Sequence, residues 1–423
     1  MSLKVKSQHQ THRLTLANGT TLIVTENPTA DLIAGRFFFK DAGSIVERQE
    51  EAGLAHLVAS VITKGTKNFN ALEIAEQVES IGASLGADGG TDYFSLGIKT
   101  VTADFVPMLK LLAEIIRLPT FPDSEVQLER KITLQNIRSQ KEQPFNVAFS
   151  QLRASIYNSH PYGVSILGTE ETVANLTSQD LKQYHQTYFR PDKLVISLSG
   201  RITTSEAKEL IETVFGDWQP ENKANDATKL SAITTQPKEE ITIQDTQQSI
   251  VMLGYKGVPV SDPAYAVLKL ITTYLGNGLS SRLFVELREK RGLAYDVSAF
   301  FPTRLDVAPF VVYIGTAPTN TQIAHDGLKQ EVDRLSQTLL TPEELQNAKN
   351  KFLGQYALGK QTNGEIAQIY GWYEALGLGI DFDTEFPNAI SQVTAEQIQQ
   401  VAQTYLQQPY ISIVKPEDKT IET

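Results

Sequence analysis

The chain reads as two parts in which the same kinds of element follow in the same order, and any fold for it has to accommodate that repetition. The parts meet at a polar stretch from Trp218 to Pro237, "WQPENKANDATKLSAITTQP", with few large apolar residues and a proline near either end. Such a stretch has little to bury and reads as an interdomain linker. Residues 1–218 then form one domain, 219–237 the linker and 238–423 a second domain. Each domain has roughly 200 residues, enough for its own hydrophobic core.

In the first part, "HRLTLANGTTLIVTENP" reads as a hairpin around Asn18-Gly19, a dipeptide that accepts the positive φ angles of a two-residue turn. "LIAGRFFFKDAG" continues as a strand. Asn70 caps a helix with Glu73 three residues on, and Leu72, Ala75, Val78 and Ile81 recur at helical spacing. "YFSLGIKTV" is a strand, and the segment after it lines Phe105, Met108, Leu112 and Ile115 along one helical face. Asp123, Ser124 and Glu125 follow Pro122 and suit the positive end of a further helix.

The second part repeats the arrangement. "QSIVMLGYKGV" is a strand, "AYAVLKLITTYLG" a helix ending at Gly276, and "SSRLFVELREKRG" a helix stopped by Gly292. "LAYDVSAFF" and "PFVVYIGTA" are strands, followed by the helices "HDGLKQEVDRLSQTL" and "TPEELQNAKNKFLGQYALG". Strands mixed with helical pairs, without regular βαβ alternation, predict an α+β fold of two similar domains, each a largely antiparallel sheet packed with helices.

Composition removes several classes of function. With 38 Lys+Arg against 49 Asp+Glu the net charge is -11, which repels a phosphate backbone, so no nucleic-acid partner is expected. No window approaches the run of about 20 apolar residues that a membrane span needs. The start, "MSLKVKSQHQTHRL", lacks the apolar stretch of a secretory signal. A cytoplasmic location is the expectation, with a removed signal peptide and a periplasmic location left open. The chain has no cysteine, so thiolate metal sites are excluded and any transition metal would rest on histidines and carboxylates.

One segment has the outline of such a site. In "GLAHLVAS", followed by "VITKGT", His56 lies on an apolar helix. Two histidines four residues apart share one helical face and can hold a zinc ion, with an adjacent glutamate activating its water, as in the order H-x-x-E-H. Here Ala59 stands at the glutamate position and Ser60 at that of the second histidine. On these eight residues alone His56 reads as a helical residue with a hydrogen-bonded ring. Neither His160, His185 nor His325 has a second ligand at helical spacing.

The longer stretch "EEAGLAHLVASVITKGT" resembles the zinc segment of the pitrilysin and mitochondrial-processing-peptidase family, the inverted zincins. The resemblance continues through "HPYGVSILGTEETVANLTSQDLKQYHQTYFRPDKLVISLSG", "LGNGLSSRLFVELREKRGLAYDV" and "LTPEELQNAKNKFLGQ", in the order that family follows. It implies a third zinc ligand, a glutamate, where Asn136 stands in Leu134-Gln135-Asn136-Ile137. His56 therefore remains of the metal set while Ala59, Ser60 and Asn136 have replaced the rest. Glu129 is retained upstream, but one carboxylate and one imidazole do not make a zinc site. No zinc is expected in this chain.

The same resemblance implies a substrate-binding pair, Arg288 and Tyr295, which in the family reaches toward the scissile carbonyl. Guanidinium and phenol donors suit a peptide oxygen gaining negative charge. Gly292 ends the helix between them, and Tyr295 then lies on a strand whose alternation places it on one face with Leu293 and Val297. The plainer reading is that Arg288, Lys290 and Arg291 offset a helix dipole and that Tyr295 is a half-buried strand residue. In the family four such domains form a chamber, in one long chain or in two of this length, and one chain of some pairs has lost the zinc motif. The expectation is therefore a non-catalytic subunit, inactive alone, of a heterodimeric zinc metallopeptidase. It would form half of a chamber for a peptide or unfolded polypeptide beside a homologous zinc-bearing chain. The short "TTYLGNGLSSRLF" favours a bacterial-type pair. The alternative is a structural or peptide-binding scaffold without proteolytic activity, which includes a homodimer.

Overall fold

The computed structural model describes residues 10–220, 230 and 232–417. Of the linker expected over 219–237, residues 221–229 and 231 lie outside the described residues. The strands are β1 (Thr11–Thr15), β2 (Thr21–Glu26), β3 (Leu32–Lys40), β4 (Ser84–Gly89), β5 (Tyr93–Val101), β6 (Leu194–Gly200), β7 (Glu239–Ile243), β8 (Ser249–Lys256), β9 (Asp296–Phe300), β10 (Pro309–Thr316) and β11 (Tyr410–Lys415). The helices that position the site are α1 (Leu54–Val61), α2 (Asp123–Glu142), α3 (Pro144–Tyr157), α4 (Tyr265–Gly276), α5 (Thr321–Gln337) and α6 (Asn363–Ala375). Two compact units form, each discontinuous in sequence. One comprises Met1–Ile137, Ser165–Leu230 and Ala357–Asp383; the other comprises Arg138–Val164, Ser231–Tyr356 and Thr384–Thr423.

The first unit is built on a six-stranded sheet of order β1-β2-β6-β3-β5-β4. Every neighbouring pair is antiparallel except β2 and β6, which run parallel. One face of β3 gives Phe37 and Phe39 to a core shared with α1 and the helix Phe105–Arg117. The opposite face gives Phe38 to a smaller cluster with Ile23, Val195, Ile366, Tyr370 and Tyr373. The last three come from α6, a helix from late in the chain. It seats closely because Gly371 has no side chain: a Cβ there would lie 2.4 Å from Phe38 Cε2. The end of α6 is fixed by Glu374, which accepts two N–H donors of Arg13 at 2.7 and 3.0 Å. A bidentate guanidinium–carboxylate pair combines charge with fixed geometry.

The second unit is a five-stranded sheet of order β7-β11-β8-β10-β9. It is again antiparallel apart from one pair, β7 with β11. Its order matches strands β2-β6-β3-β5-β4 one for one, so the repetition in the sequence is a repetition of topology. Here α3, from early in the chain, lies on β8 and β11, as α6 lies on β3 and β6. Gly254 leaves room for it, since a Cβ would lie 2.9 Å from the Leu152 methyls. The Ser412 hydroxyl donates to the Ala148 carbonyl at 2.8 Å.

Two local expectations differ from what forms. The β1–β2 strands end at Thr15 and resume at Thr21, so the loop holds five residues rather than two. Gly19 takes φ 88°, while the Asn18 side chain is buried and donates to the Phe215 carbonyl. In the helix Ala71–Glu79 the capping box of Asn70 and Glu73 forms, but Ile74 and Val78 are the buried residues. Leu72 is 67% exposed, because the i, i+4 pair lies on the side that meets the sheet.

Candidate functional site

In the first unit, His56 sits in the first turns of α1, whose N-terminus is closed by a buried carboxyl. Glu47 accepts from the backbone N–H of Gly53 at 3.0 Å and of Ala55 at 2.6 Å. Burial pushes Glu47 up to about 8, against the pull of these two hydrogen bonds. Gly53 adopts φ 97°, and a Cβ on it would meet the Leu167 carbonyl oxygen at 2.6 Å, so both backbone conformation and space require glycine there. Beneath the helix, a Cβ on Gly89 of β4 would lie 2.4 Å from the Ala55 carbonyl oxygen. The strand thus brings Asp88 close to the imidazole. Burial lowers the pKa of His56, and the charges of Asp88 and Glu129 only partly offset this, so the ring is neutral near pH 7.

The remaining positions of the zinc motif carry no usable ligands. Ala59 is a buried methyl. The Ser60 hydroxyl donates to the His56 carbonyl oxygen at 3.0 Å, a bond within the helix that ties the side chain to the backbone. On α2, Glu129 is mostly covered and lies 3.6 Å from the Lys64 ammonium, so a cation already faces it. Asn136, seven residues on and two turns further along α2, is exposed and brings a neutral amide. Among the described residues no group of three or more His, Cys, Asp or Glu side chains could hold a metal ion. Zinc needs about three good donors; one imidazole, a lysine-paired carboxylate, a methyl, a committed hydroxyl and an amide do not fit it. Asp88 and Lys64 as neighbours of this helix were not anticipated. Their nearness comes from the β4 packing and the turn after α1, which spacing within one helix does not reveal.

In the second unit, Arg288 and Tyr295 are brought together. The segment Phe284–Lys290 is a π-helical turn, a distortion that often accompanies functional residues. It is anchored from one side by Glu331 of α5, which accepts from Arg282 at 2.8 Å and lies 3.5 Å from Arg291. Arg282 also pairs with Glu286 at 3.1 Å, and Lys290 with the same carboxylate at 2.8 Å. Gly292 ends the turn at φ 64°, its N–H donating to the Arg288 carbonyl. Arg288 itself is exposed. Its guanidinium stacks 5.1 Å above Phe284 and donates one N–H to the Tyr295 carbonyl at 2.9 Å.

Tyr295 does not share a strand face with Leu293 and Val297. It lies in a bend before β9 and is 59% exposed, whereas Leu293 and Val297 are 9% and 5% exposed. Alternation holds only within a strand, and the ladder with β10 starts one residue later, at Asp296 opposite Gly315. The result is an exposed guanidinium bonded to the backbone carbonyl of Tyr295, whose own side chain is also at the surface. Together they can offer donors to an anionic or carbonyl oxygen.

His160, His185 and His325 have structural partners. His160 is buried, accepting from Tyr162 N–H through Nδ1 and facing Asp306 through Nε2. His185 Nε2 lies 2.7 Å from the Ile116 carbonyl oxygen, and burial brings its pKa down to about 4. His325 Nδ1 faces Asp326 at 2.9 Å.

Comparison with known proteins places these observations. Residues 23–170 match the family model described as insulinase, peptidase family M16, and residues 175–352 match the model described as peptidase M16 inactive domain. An uncharacterized zinc protease of Bacillus subtilis (strain 168), YmxG, is 29% identical over 407 residues, covering 96% of this chain and 98% of that protein. An uncharacterized zinc protease of Rickettsia felis is 26% identical over 385 residues, 90% of this chain and 92% of the relative. Among solved structures, a peptidase M16 inactive domain from Pseudomonas fluorescens superposes with a TM-score of 0.89 at 24% identity, covering 97% of this chain and 99% of its own. A protease from Helicobacter pylori gives 0.87 at 22%, covering 96% and 100%. At these identities the two structures speak to the fold.

Proposed function

Because the chain belongs to the peptidase M16 family, we propose that it is the non-catalytic subunit of a two-chain zinc metallopeptidase, forming half of a substrate chamber. It would position a peptide or unfolded polypeptide for a homologous partner chain that supplies the zinc, its H-x-x-E-H helix and the activated water. The observation that carries this reading is the contrast between the two units. The zinc positions hold Ala59, Ser60 and Asn136, whereas Arg288 and Tyr295 are kept, exposed and linked at 2.9 Å. A scaffold that never meets a reacting carbonyl has no use for an exposed guanidinium fixed to the backbone of an exposed tyrosine.

In this role Arg288 donates N–H groups to the peptide oxygen as it becomes negative, and Tyr295 supplies an O–H to the same region. Donors fixed before the reaction stabilise developing charge without reorganisation. Arg288 is pre-aimed by its bond to the Tyr295 carbonyl and by the ion pairs of its helical turn to Glu331. The test is turnover of the reconstituted pair with Arg288→Ala in this chain. The expected outcome is a fall in kcat of about 10²-fold or more, the scale for loss of one oxyanion donor, with zinc content of the partner unchanged. Unchanged turnover contradicts the assigned role. Full assembly without any peptidase activity favours the alternative, a structural or peptide-binding scaffold.

A further inference from the structure

In the first unit a cleft of about 500 Å³ opens between the helix Ser178–Tyr188 and the turn that follows the helix Thr204–Phe215. None of the zinc-motif positions lines it. Leu181 and Tyr184 turn inward from the first of these helices, the Tyr184 hydroxyl accepting from the Gly43 N–H at 2.9 Å. Helical periodicity therefore sends Gln179, Gln183 and Gln186 to the opposite side, where they are exposed and line the cleft. The other wall carries Trp218, half-buried, and Gln219.

Both walls are tied to the body of the unit. Asn18 donates to the Phe215 and Trp218 carbonyls at 2.8 and 3.1 Å, and the Trp218 ring packs 6.3 Å from that of Phe215. The Thr20 hydroxyl donates to the Pro191 carbonyl at 3.0 Å, just past the glutamine helix. The two arginines that line the cleft are already neutralised: Arg117 donates to both oxygens of Asp217 at 2.8 and 3.0 Å, and Arg190 to both of Asp192 at 3.0 and 2.8 Å. His185, its Nε2 committed to the Ile116 carbonyl, adds no charge. The cleft therefore offers a ligand no free charge. What it offers is carboxamides, since the side chains of Gln179, Gln183 and Gln186 have no hydrogen-bond partner among the described residues. One such glutamine facing water is ordinary; three in a row on a concave wall, with an indole on the other, form a recognition surface.

We propose that this cleft binds an extended, uncharged polypeptide segment through its main chain. A carboxamide presents a donor and an acceptor side by side, as a peptide group does, and can pair with one through two hydrogen bonds. The three glutamines span about 10 Å of helix at 1.5 Å per residue, the length of about three residues of extended chain at 3.3 Å each. Main-chain pairing supplies affinity whatever the side chains are, and the paired state of Arg117 and Arg190 removes any preference for acidic ones. Trp218 gives apolar contact to a side chain on the far wall. Walls fixed before the peptide arrives lower the ordering cost of binding. The site shares no residue with the Arg288 turn and stands or falls separately from the peptidase reading.

The experiment uses the full chain alone, with no partner and no turnover, so its outcome does not depend on the peptidase reading. Calorimetric titration is run with a short end-blocked peptide of Ser, Thr, Ala and Val, with the same peptide N-methylated at alternate residues, and with a linear maltooligosaccharide of similar length. The expected result is saturable heat with the unmodified peptide. N-methylation, which removes main-chain donors and leaves the side chains, should weaken binding about 10-fold or more, and so should Gln183→Ala combined with Gln186→Ala, the scale for losing two or three hydrogen bonds. Both glutamines are exposed, so the double variant should keep its Tm, which separates lost binding from lost fold. Where its Tm falls, Gln179→Ala, one turn earlier, carries the comparison. Equal binding of the N-methylated peptide, affinity unchanged in the glutamine variants, or saturable heat with the oligosaccharide and none with the peptide overturns the proposal.

Discussion

The Glu47→Gln substitution tests how the helix bearing His56 is held. Glu47 is buried and accepts from the N–H groups of Gly53 and Ala55, and burial pushes it up to about 8. The unfolded chain has the ordinary value near 4.3. Between about pH 4.5 and 8 the folded protein therefore holds a proton that the unfolded chain has released. A group raised in this way favours folding below its unfolded pKa, and its contribution declines as pH rises, fully lost above the folded value. The slope is at most about 1.4 kcal/mol per pH unit and the total at most about 5 kcal/mol. Glutamine does not titrate, so the variant lacks this slope. It also opposes its NH₂ to one of the two N–H donors, which costs about 1–3 kcal/mol. Urea unfolding from pH 5 to 8 should show the variant less stable by that amount at pH 5, with the gap narrowing or reversing by pH 8. A gap of constant size across the range refutes the buried, proton-holding carboxyl.

Three further outcomes follow from the packing and the site. Gly89→Ala places a methyl 2.4 Å from the Ala55 carbonyl oxygen, a backbone atom that cannot step aside, and should lower stability by about 1–3 kcal/mol, read as a shift in urea midpoint at constant m. Expressed separately, residues 1–218 and 238–423 should each fail to unfold cooperatively, because α6 covers Phe38 and α3 covers Gly254; sharp transitions in both pieces contradict this. Glu331→Gln should loosen the 282–291 turn by removing the charge and one of the two oxygens that face Arg282 and Arg291, raising hydrogen exchange there while exchange in α1 is unchanged. Equal exchange in both segments removes Glu331 as the anchor.

Much of the architecture was readable from pattern. The Phe105–Arg117 helix buries Phe105, Met108, Leu112 and Ile115, the face that periodicity picks out, and the order of strands repeats because the two sequences repeat. The exchange of α3 and α6 was not readable. Each helix is amphipathic, but nothing local states which sheet it will cover, and Gly254 and Gly371 become meaningful only once the facing Leu152 and Phe38 are known. At the site, spacing identified the positions of Ala59, Ser60 and Asn136 but not Lys64 beside Glu129. Tyr295 was placed on the wrong side of a strand boundary because Leu293, Tyr295 and Val297 alternate through a bend that ends the ladder at Asp296.

The most direct test of the central claim is zinc analysis of this chain purified from its native cells, alone and together with any chain of similar size that accompanies it. The account predicts less than a tenth of a zinc per chain for this protein alone, and about one zinc per pair when a partner carrying H-x-x-E-H is retained, both being order-of-magnitude stoichiometries for a single three-ligand site. About one tightly held zinc per chain in the isolated protein contradicts it.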